Sequence, residues 1–263
     1  MTKADITHDS LFGGRLRVSQ LARGHRAGTD AVLLAAFAAP TDGLIIDVGA
    51  GVGTVGLALA IRNAQARICL LERAPEIAAL ARDNIGLNAV SERVGVVETD
   101  VLAAFPRRNA GVRNESADLV VTNPPFYDVG SGRPSPDALK RGAHIVDGNL
   151  EAWLRACLTI VRPGGRLCVI HRAERLGTIL SALEGRSGGA LVRSVHPKND
   201  AAASRVLICA IKGSRAPMII APPLVLHGAD GKFTIEASAL HAGDWLKPKL
   251  ALGSQSQTRT NDG

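Results

Sequence analysis

Aromatic side chains are scarce: two Trp, one Tyr and five Phe in 263 residues. The core must therefore be aliphatic, which counts against a broad aromatic platform for single-stranded nucleic acid. The four cysteines, Cys69, Cys157, Cys168 and Cys209, form no C-x-x-C pair and have no histidine at metal-ligand spacing beside them. No metal site is expected, and the thiols read as small buried hydrophobes of a reducing compartment. Long apolar runs are also missing. Ala31 to Pro40 is the longest, far short of the ~20 residues a membrane span needs. Residues 1–10 carry Lys3, Asp5 and Asp9 without an apolar stretch, so no signal peptide is expected. A soluble cytoplasmic protein of one to two domains is the expectation. The net charge of +7 has two readings: a polyanionic partner, or the solvated basic faces of an Arg-rich chain.

Strand-like apolar runs alternate with helix-like stretches from Leu44 to about Lys212. Strands are expected at Leu44–Val48, Arg67–Leu71, Val94–Val97, Ala117–Val121, Leu167–Ile170, Leu191–Val195 and Val206–Ile211. Helices are expected after residue 53, from Pro75 towards Asn88, over Leu150–Val161 and around Leu176–Leu183. Strands alternating with helices imply an α/β fold, a doubly wound and mostly parallel sheet. The last two strands have only a short polar link, so one antiparallel edge strand is expected. The chain divides into an N-terminal segment and helix over residues 1–43, the sheet domain over 44–212, a C-terminal hairpin extension over 213–252 and a disordered tail over 253–263. Arg107 to Ser116 and Tyr127 to Arg141 read as flexible loops.

Asp47-Val48-Gly49-Ala50-Gly51-Val52-Gly53-Thr54 lies between a strand and a helix. Glycines there permit a sharp turn and close approach of a ligand to the main chain. Gly51, Gly53 and Gly56 also satisfy the dinucleotide pattern G-x-G-x-x-G, and Glu72 stands where a ribose-binding acid would. This segment therefore leaves NAD and S-adenosylmethionine both open. Asp47 suits a cationic ligand better than a pyrophosphate.

Asn123-Pro124-Pro125-Phe126 follows the fourth strand. Ligands of open α/β sheets bind beyond the carboxyl ends of the strands, so Asp47, Glu72, Asp100 and Asn123 are expected to face one crevice. The glycine turn together with N-P-P-F resembles the amino-methyltransferases of class I, Rossmann-like fold. The words Gly28-Thr29-Asp30-Ala31-Val32-Leu33-Leu34-Ala35, Asp83-Asn84-Ile85 and Arg141-Gly142-Ala143-His144 resemble the bacterial family that N6-methylates an adenine beside the anticodon of a valine tRNA. The resemblance covers about residues 25–212.

That resemblance implies S-adenosylmethionine as cofactor and RNA, most simply tRNA, as partner. Gly49 and Gly51 would contact the methionine part, with Asp30 approaching its end and Asp47 beside the turn. Glu72 would hold the ribose hydroxyls. Arg73 would flank the adenine, and Asp100 and Val101 would bond it. Asn123 would serve both cofactor and catalysis, its side-chain oxygen pairing with the Pro124 carbonyl around the target amino group. Pro124 and Pro125 would stiffen the turn, and Phe126 would stack on the base. Basic residues cluster at Arg15, Arg17, Arg23, His25 and Arg26 and again at Arg133, Lys140 and Arg141. Of these, Arg23, Arg26, Lys140 and Arg141 are the candidate phosphate contacts. His144, His171 and His196 are expected at the surface or behind the site. Three other functions use parts of the same pattern: a protein-glutamine methyltransferase, an NAD-dependent oxidoreductase and a silent RNA-binding module.

Overall fold

The computed structural model describes residues 6–23, 27–125 and 150–246. Two strands, β1 (Ile6–Leu11) and β2 (Leu16–Leu21), form an antiparallel hairpin. Helix α1 (Thr29–Phe37) follows. The sheet domain then runs β3 (Leu44–Val48), α2 (Thr54–Arg62), β4 (Arg67–Glu72), α3 (Pro75–Leu87), β5 (Val94–Glu98), α4 (Ala104–Asn109) and β6 (Ala117–Thr122). It continues with α5 (Leu150–Ile160), β7 (Val161–Arg172), α6 (Leu176–Leu183), β8 (Ser187–His196) and β9 (Arg205–Lys212). Two short strands, β10 (Ile219–Ile220) and β11 (Leu224–Val225), and helix α7 (Ile235–His241) complete it.

The main sheet has the order β10-β8-β9-β7-β6-β3-β4-β5, with β11 also on β8. β3 pairs in parallel with both β4 and β6, so the strand order reverses there. This is the switch point at which such sheets bind ligands. The sheet is mostly parallel with a single antiparallel strand, as expected, but that strand is not at the edge. β9 lies between β7 and β8, antiparallel to both. The C-terminal segment moves the edge outward, because β10 and β11 both add to β8 in parallel. A turn at Ala229-Asp230-Gly231 lies beneath an antiparallel bridge between His227 and Phe233. The segment as a whole is not an isolated hairpin, since it extends the sheet and carries α7.

Burial explains the elements. Seven of the nine residues of α1 are buried, from Ala31 to Phe37, so this helix is core rather than an amphipathic cover. Among the described residues no helix is long and apolar enough to cross a membrane. Pro163 and the two glycines after it do not end β7; they bulge from it, and the register with β6 shifts between Ala117 and Leu119. The segment from Arg107 to Ser116 is pinned rather than loose. Arg107 is buried and donates to Asn114 Oδ1 (3.1 Å) and Thr159 Oγ1 (3.3 Å), and Val112 is buried beside it. The N-terminal hairpin docks on α3 through amide side chains that imitate a strand edge. Asn84 accepts from Ser19 N (2.7 Å) and donates to Ser19 O (2.9 Å), and Asn88 does the same for Arg17 (3.0 and 2.7 Å). Residues 253–263 lie outside the described residues.

Candidate active site

The carboxyl ends of β3, β4 and β6 are level, since Val48 pairs with Leu71 and with Thr122. The turns that leave them therefore meet above one edge of the sheet. Gly49, Gly51 and Gly53 have φ of +70°, +56° and +89°, a region that L side chains rarely enter. The loop is closed by Gly49 N and Ala50 N, which donate to Leu71 O at 2.9 and 3.0 Å. A side chain at Gly51 would meet nothing within 4 Å, so the main chain there faces open space.

Asp47 does not face that space. It is 2% exposed, beneath the loop, and its Oδ2 accepts from Gly56 N at 2.8 Å. Gly53 is the N-cap of α2 and has no side chain to offer. Asp47 supplies the missing cap from the neighbouring strand, placing an acceptor at the positive end of the helix. Burial pushes its carboxyl up to about 7, against the pull of the Gly56 hydrogen bond, and Glu72 adds to the rise.

Glu72 ties the loop to the next turn. One oxygen accepts from Gly51 N (2.9 Å), the other from Arg73 N and Ala74 N (both 2.9 Å). Asp100 accepts from Leu102 N at 2.9 Å and stands 3.6 Å from Arg73 Nη1. Glu72, Arg73 and Asp100 are thus gathered at the ends of β4 and β5, while the Val101 side chain is buried next to them. Asp30, in the first turn of α1, accepts from Arg205 Nε at 2.9 Å. Arg205 opens β9 opposite Arg172, so this pair sits at the same edge of the sheet, on its other half.

Asn123 follows β6, and its Oδ1 is buried without a hydrogen-bond partner. A buried acceptor left unpaired costs about 1–3 kcal/mol. Pro124 is buried and Pro125 exposed, so the turn is held on one side. Just before it, Thr122 donates its hydroxyl to Val48 O (2.8 Å) and accepts from Trp153 Nε1 (2.9 Å).

Phe126, Arg26, Lys140 and Arg141 lie outside the described residues, as do Tyr127, Arg133, His25 and His144. Arg23 is exposed. Arg15 and Arg17 do not flank the crevice. Arg15 lines a hollow beside Arg62, at the far end of α2, and Arg17 donates to Leu87 O (2.7 Å) at the far end of α3. His171, expected as a surface or supporting residue, is buried at the end of β7. Burial, with Arg205 and Arg172 adding to it, pushes it down to about 4. Sequence reasoning passed over Thr122, Trp153 and Arg205. Trp153 carried one signal, as one of only two tryptophans.

A glycine loop after β3, acids after β4 and β5 and an Asn-Pro-Pro turn after β6 make this a class I methyltransferase fold. The chain matches the model of the methyltransferase small domain over residues 25–137. The tRNA1(Val) (adenine(37)-N6)-methyltransferase of Erwinia tasmaniensis is 30% identical over 187 residues, 70% of this chain and 74% of that one. The enzyme of the same name from Porphyromonas gingivalis is 33% identical over 168 residues, which span 62% of this chain and 64% of the relative. The match therefore covers just under two thirds of that relative. A crystal structure of a predicted O-methyltransferase from Agrobacterium tumefaciens has TM-score 0.70 and 34% identity, over 82% of this chain and 97% of its own. The chain belongs to the tRNA1(Val) (adenine(37)-N6)-methyltransferase family.

Proposed function

We propose that this protein transfers a methyl group from S-adenosylmethionine to the N6 nitrogen of an adenine in tRNA, and that it acts in the cytoplasm. The observation that carries this reading is the buried, unpaired Oδ1 of Asn123 at the carboxyl end of β6. Placed at the carboxyl end of β6, that atom is an open acceptor for a ligand, and the amino group of a base is a donor of the right kind.

The residues fit S-adenosylmethionine. Gly51 leaves room at the main chain, and Glu72 and Asp100 present carboxylates at the next two strand ends. When bound, that cofactor supplies an electrophilic methyl group on a sulfonium. Gly49 and Gly51 would lie along its methionine part, with Asp30 towards the end of that part. Glu72 would accept from the ribose, and Arg73, Asp100 and Val101 would border the adenine. Asp47 acts from below, by holding the loop.

The chain's own contribution to transfer is at the acceptor. The lone pair of an exocyclic amino nitrogen is delocalised into its ring. Asn123 Oδ1 and the Pro124 carbonyl, accepting from the two N–H bonds, would localise that lone pair on the nitrogen, out of the ring's π system, and direct it along one line. The N–C bond would form as the sulfur–methyl bond breaks, its electron pair staying on sulfur; neither acceptor has to take a proton, and the one lost from nitrogen leaves to solvent. Phe126 would stack on the base, and Arg23, Arg26, Lys140 and Arg141 would contact phosphate. Incubating the protein with methyl-labelled S-adenosylmethionine and unmodified tRNA, then separating the nucleosides, tests the reading. Label in N6-methyladenosine is expected. Label in a glutamine-bearing protein instead, with none in RNA, would keep the chemistry and reject the partner.

A further inference from the structure

Trp153 lies on α5, outside every glycine, acid or Asn-Pro-Pro motif, yet it touches both halves of the site. Its indole edge carries the glycine loop: a Cβ at Gly49 would stand 3.0 Å from Cζ2 and 3.2 Å from Cη2. Its Nε1 donates to Thr122 Oγ1 at 2.9 Å. An indole N–H can only donate, so the Thr122 hydroxyl must accept from it and spend its own proton elsewhere. It does so on Val48 O, at 2.8 Å. Val48 immediately precedes Gly49, and Thr122 immediately precedes Asn123. Thr122 is 0% exposed and Trp153 8%, so water does not compete for either bond.

We propose that Trp153 and Thr122 are positioning residues that hold the cofactor loop and the Asn123 turn in one register, so that methyl donor and amino acceptor are aligned by a single indole. The proposal rests on the methyltransferase reading of the site. The strand pairing of β3 with β6 sets their separation along the sheet, but it ends at Val48 and Thr122. Beyond that point no strand pairing joins the two turns, and Trp153, bonded to Thr122 and lying against Gly49, touches both. Displacement of reacting groups by about 1 Å can lower a rate roughly a hundredfold. A relay that acts through alignment therefore affects turnover more than cofactor affinity.

The test uses the full chain with Trp245→Phe, which leaves Trp153 as its sole tryptophan, excited apart from the one tyrosine. Trp245 stacks on Arg62 at the far end of α2, away from the site. In this parent, titration with S-adenosylhomocysteine should change the emission of Trp153. Thr122→Val matches the shape but removes both hydrogen bonds. It should lower kcat for tRNA methylation by about 10- to 100-fold, leave KM for S-adenosylmethionine within about threefold, and flatten the emission response. Thr122→Ser keeps both bonds and should regain most of the lost kcat. Should Thr122→Val fail to fold, Trp153→Phe in the otherwise native chain keeps the apolar contact without the N–H, and should show the same split between kcat and KM. A kcat unchanged by Thr122→Val, or lowered as far by Thr122→Ser, overturns the proposal. If the parent transfers no methyl group to tRNA, the methyltransferase reading is what fails. The emission response then decides the coupling alone: flattened in Thr122→Val, it stands; unchanged, it falls.

Discussion

Two residues of the site trade stability for function in opposite ways. Asn123 keeps a buried oxygen unpaired, which costs the free protein about 1–3 kcal/mol. Asn123→Ala removes that cost with the acceptor. The variant is expected to be at least as stable as the wild type in urea unfolding, to bind S-adenosylhomocysteine with similar affinity, and to methylate tRNA ~10²–10³-fold more slowly. A wild-type rate would make the turn structural. Asp47 has its hydrogen bond but lies in a place that disfavours charge, and burial raises its carboxyl to about 7. Between about pH 4 and pH 7 the folded chain then holds a proton that the unfolded chain has released. Stability falls as pH rises through that window and levels off above it, by up to ~4 kcal/mol. His171, held neutral at low pH by burial, acts in the other direction. The difference between wild type and Asp47→Asn isolates the Asp47 part. Relative to Asp47→Asn, the wild type should be more stable at about pH 5 than at about pH 8, and equal offsets at both would show that Asp47 does not titrate in this window.

At the scale of elements, the join between β3 and α2 is tight because α2 has no side-chain cap of its own and must sit close to Asp47. Gly56 allows this. A Cβ there would lie 2.3 Å from Leu70 Cδ2, 3.1 Å from Ile68 Cγ2 and 3.3 Å from Asp47 Cβ, and all three residues are buried. Gly56→Ala is therefore expected to destabilise by about 1–3 kcal/mol, despite the better helix propensity of alanine. Gly86 in α3 is the contrast: exposed, with nothing within 4 Å of an added Cβ. Gly86→Ala should stabilise by roughly 0.5–1 kcal/mol. Urea midpoints that move in opposite directions for these two substitutions would bear out the packing argument; a neutral Gly56→Ala would mean that α2 can slide. The same closeness explains why the boundaries of β3, α2, β4 and α3 were legible from residue pattern. Each is a short-range unit with its own punctuation: glycines before α2, Pro75 at the first position of α3. The hairpin of β1 and β2 is punctuated too, by Gly13-Gly14 at φ +64° and +90°, but its docking is not, because its partners are the amide groups of Asn84 and Asn88 on a distant helix.

For the whole molecule, the open crevice above β3, β4 and β6 makes ligand binding a stability term. S-adenosylmethionine at a hundredfold excess over its Kd should add about 2.7 kcal/mol. For a chain of this size that corresponds to a rise in Tm of roughly 5–10 °C. NAD should give none; a rise with NAD alone would reject the cofactor assignment. Among the described residues, not all of the basic residues of the N-terminal cluster are collected at the crevice. Arg15 and Arg17 are committed to the far ends of α2 and α3, so net charge alone was a poor guide to where RNA would lie.

The sequence by itself determined the parallel α/β sheet and the position of the site along the chain. In a parallel sheet every strand-to-helix turn falls at the same edge, so Gly49, Glu72, Asp100 and Asn123 had to come together wherever the helices packed. Only the tertiary structure decided which way their side chains work. Asp47 turns under the loop because the start of α2 leaves an amide unpaired there. β9 lies inside the sheet because β8 pairs with its outer side, and β10 and β11 extend the sheet beyond β8. Thr122, Val48 and Trp153 form one relay although they are 74 and 31 residues apart in the chain. Contacts at such separations leave no period or spacing in the sequence, because each partner obeys only the pattern of its own strand or helix.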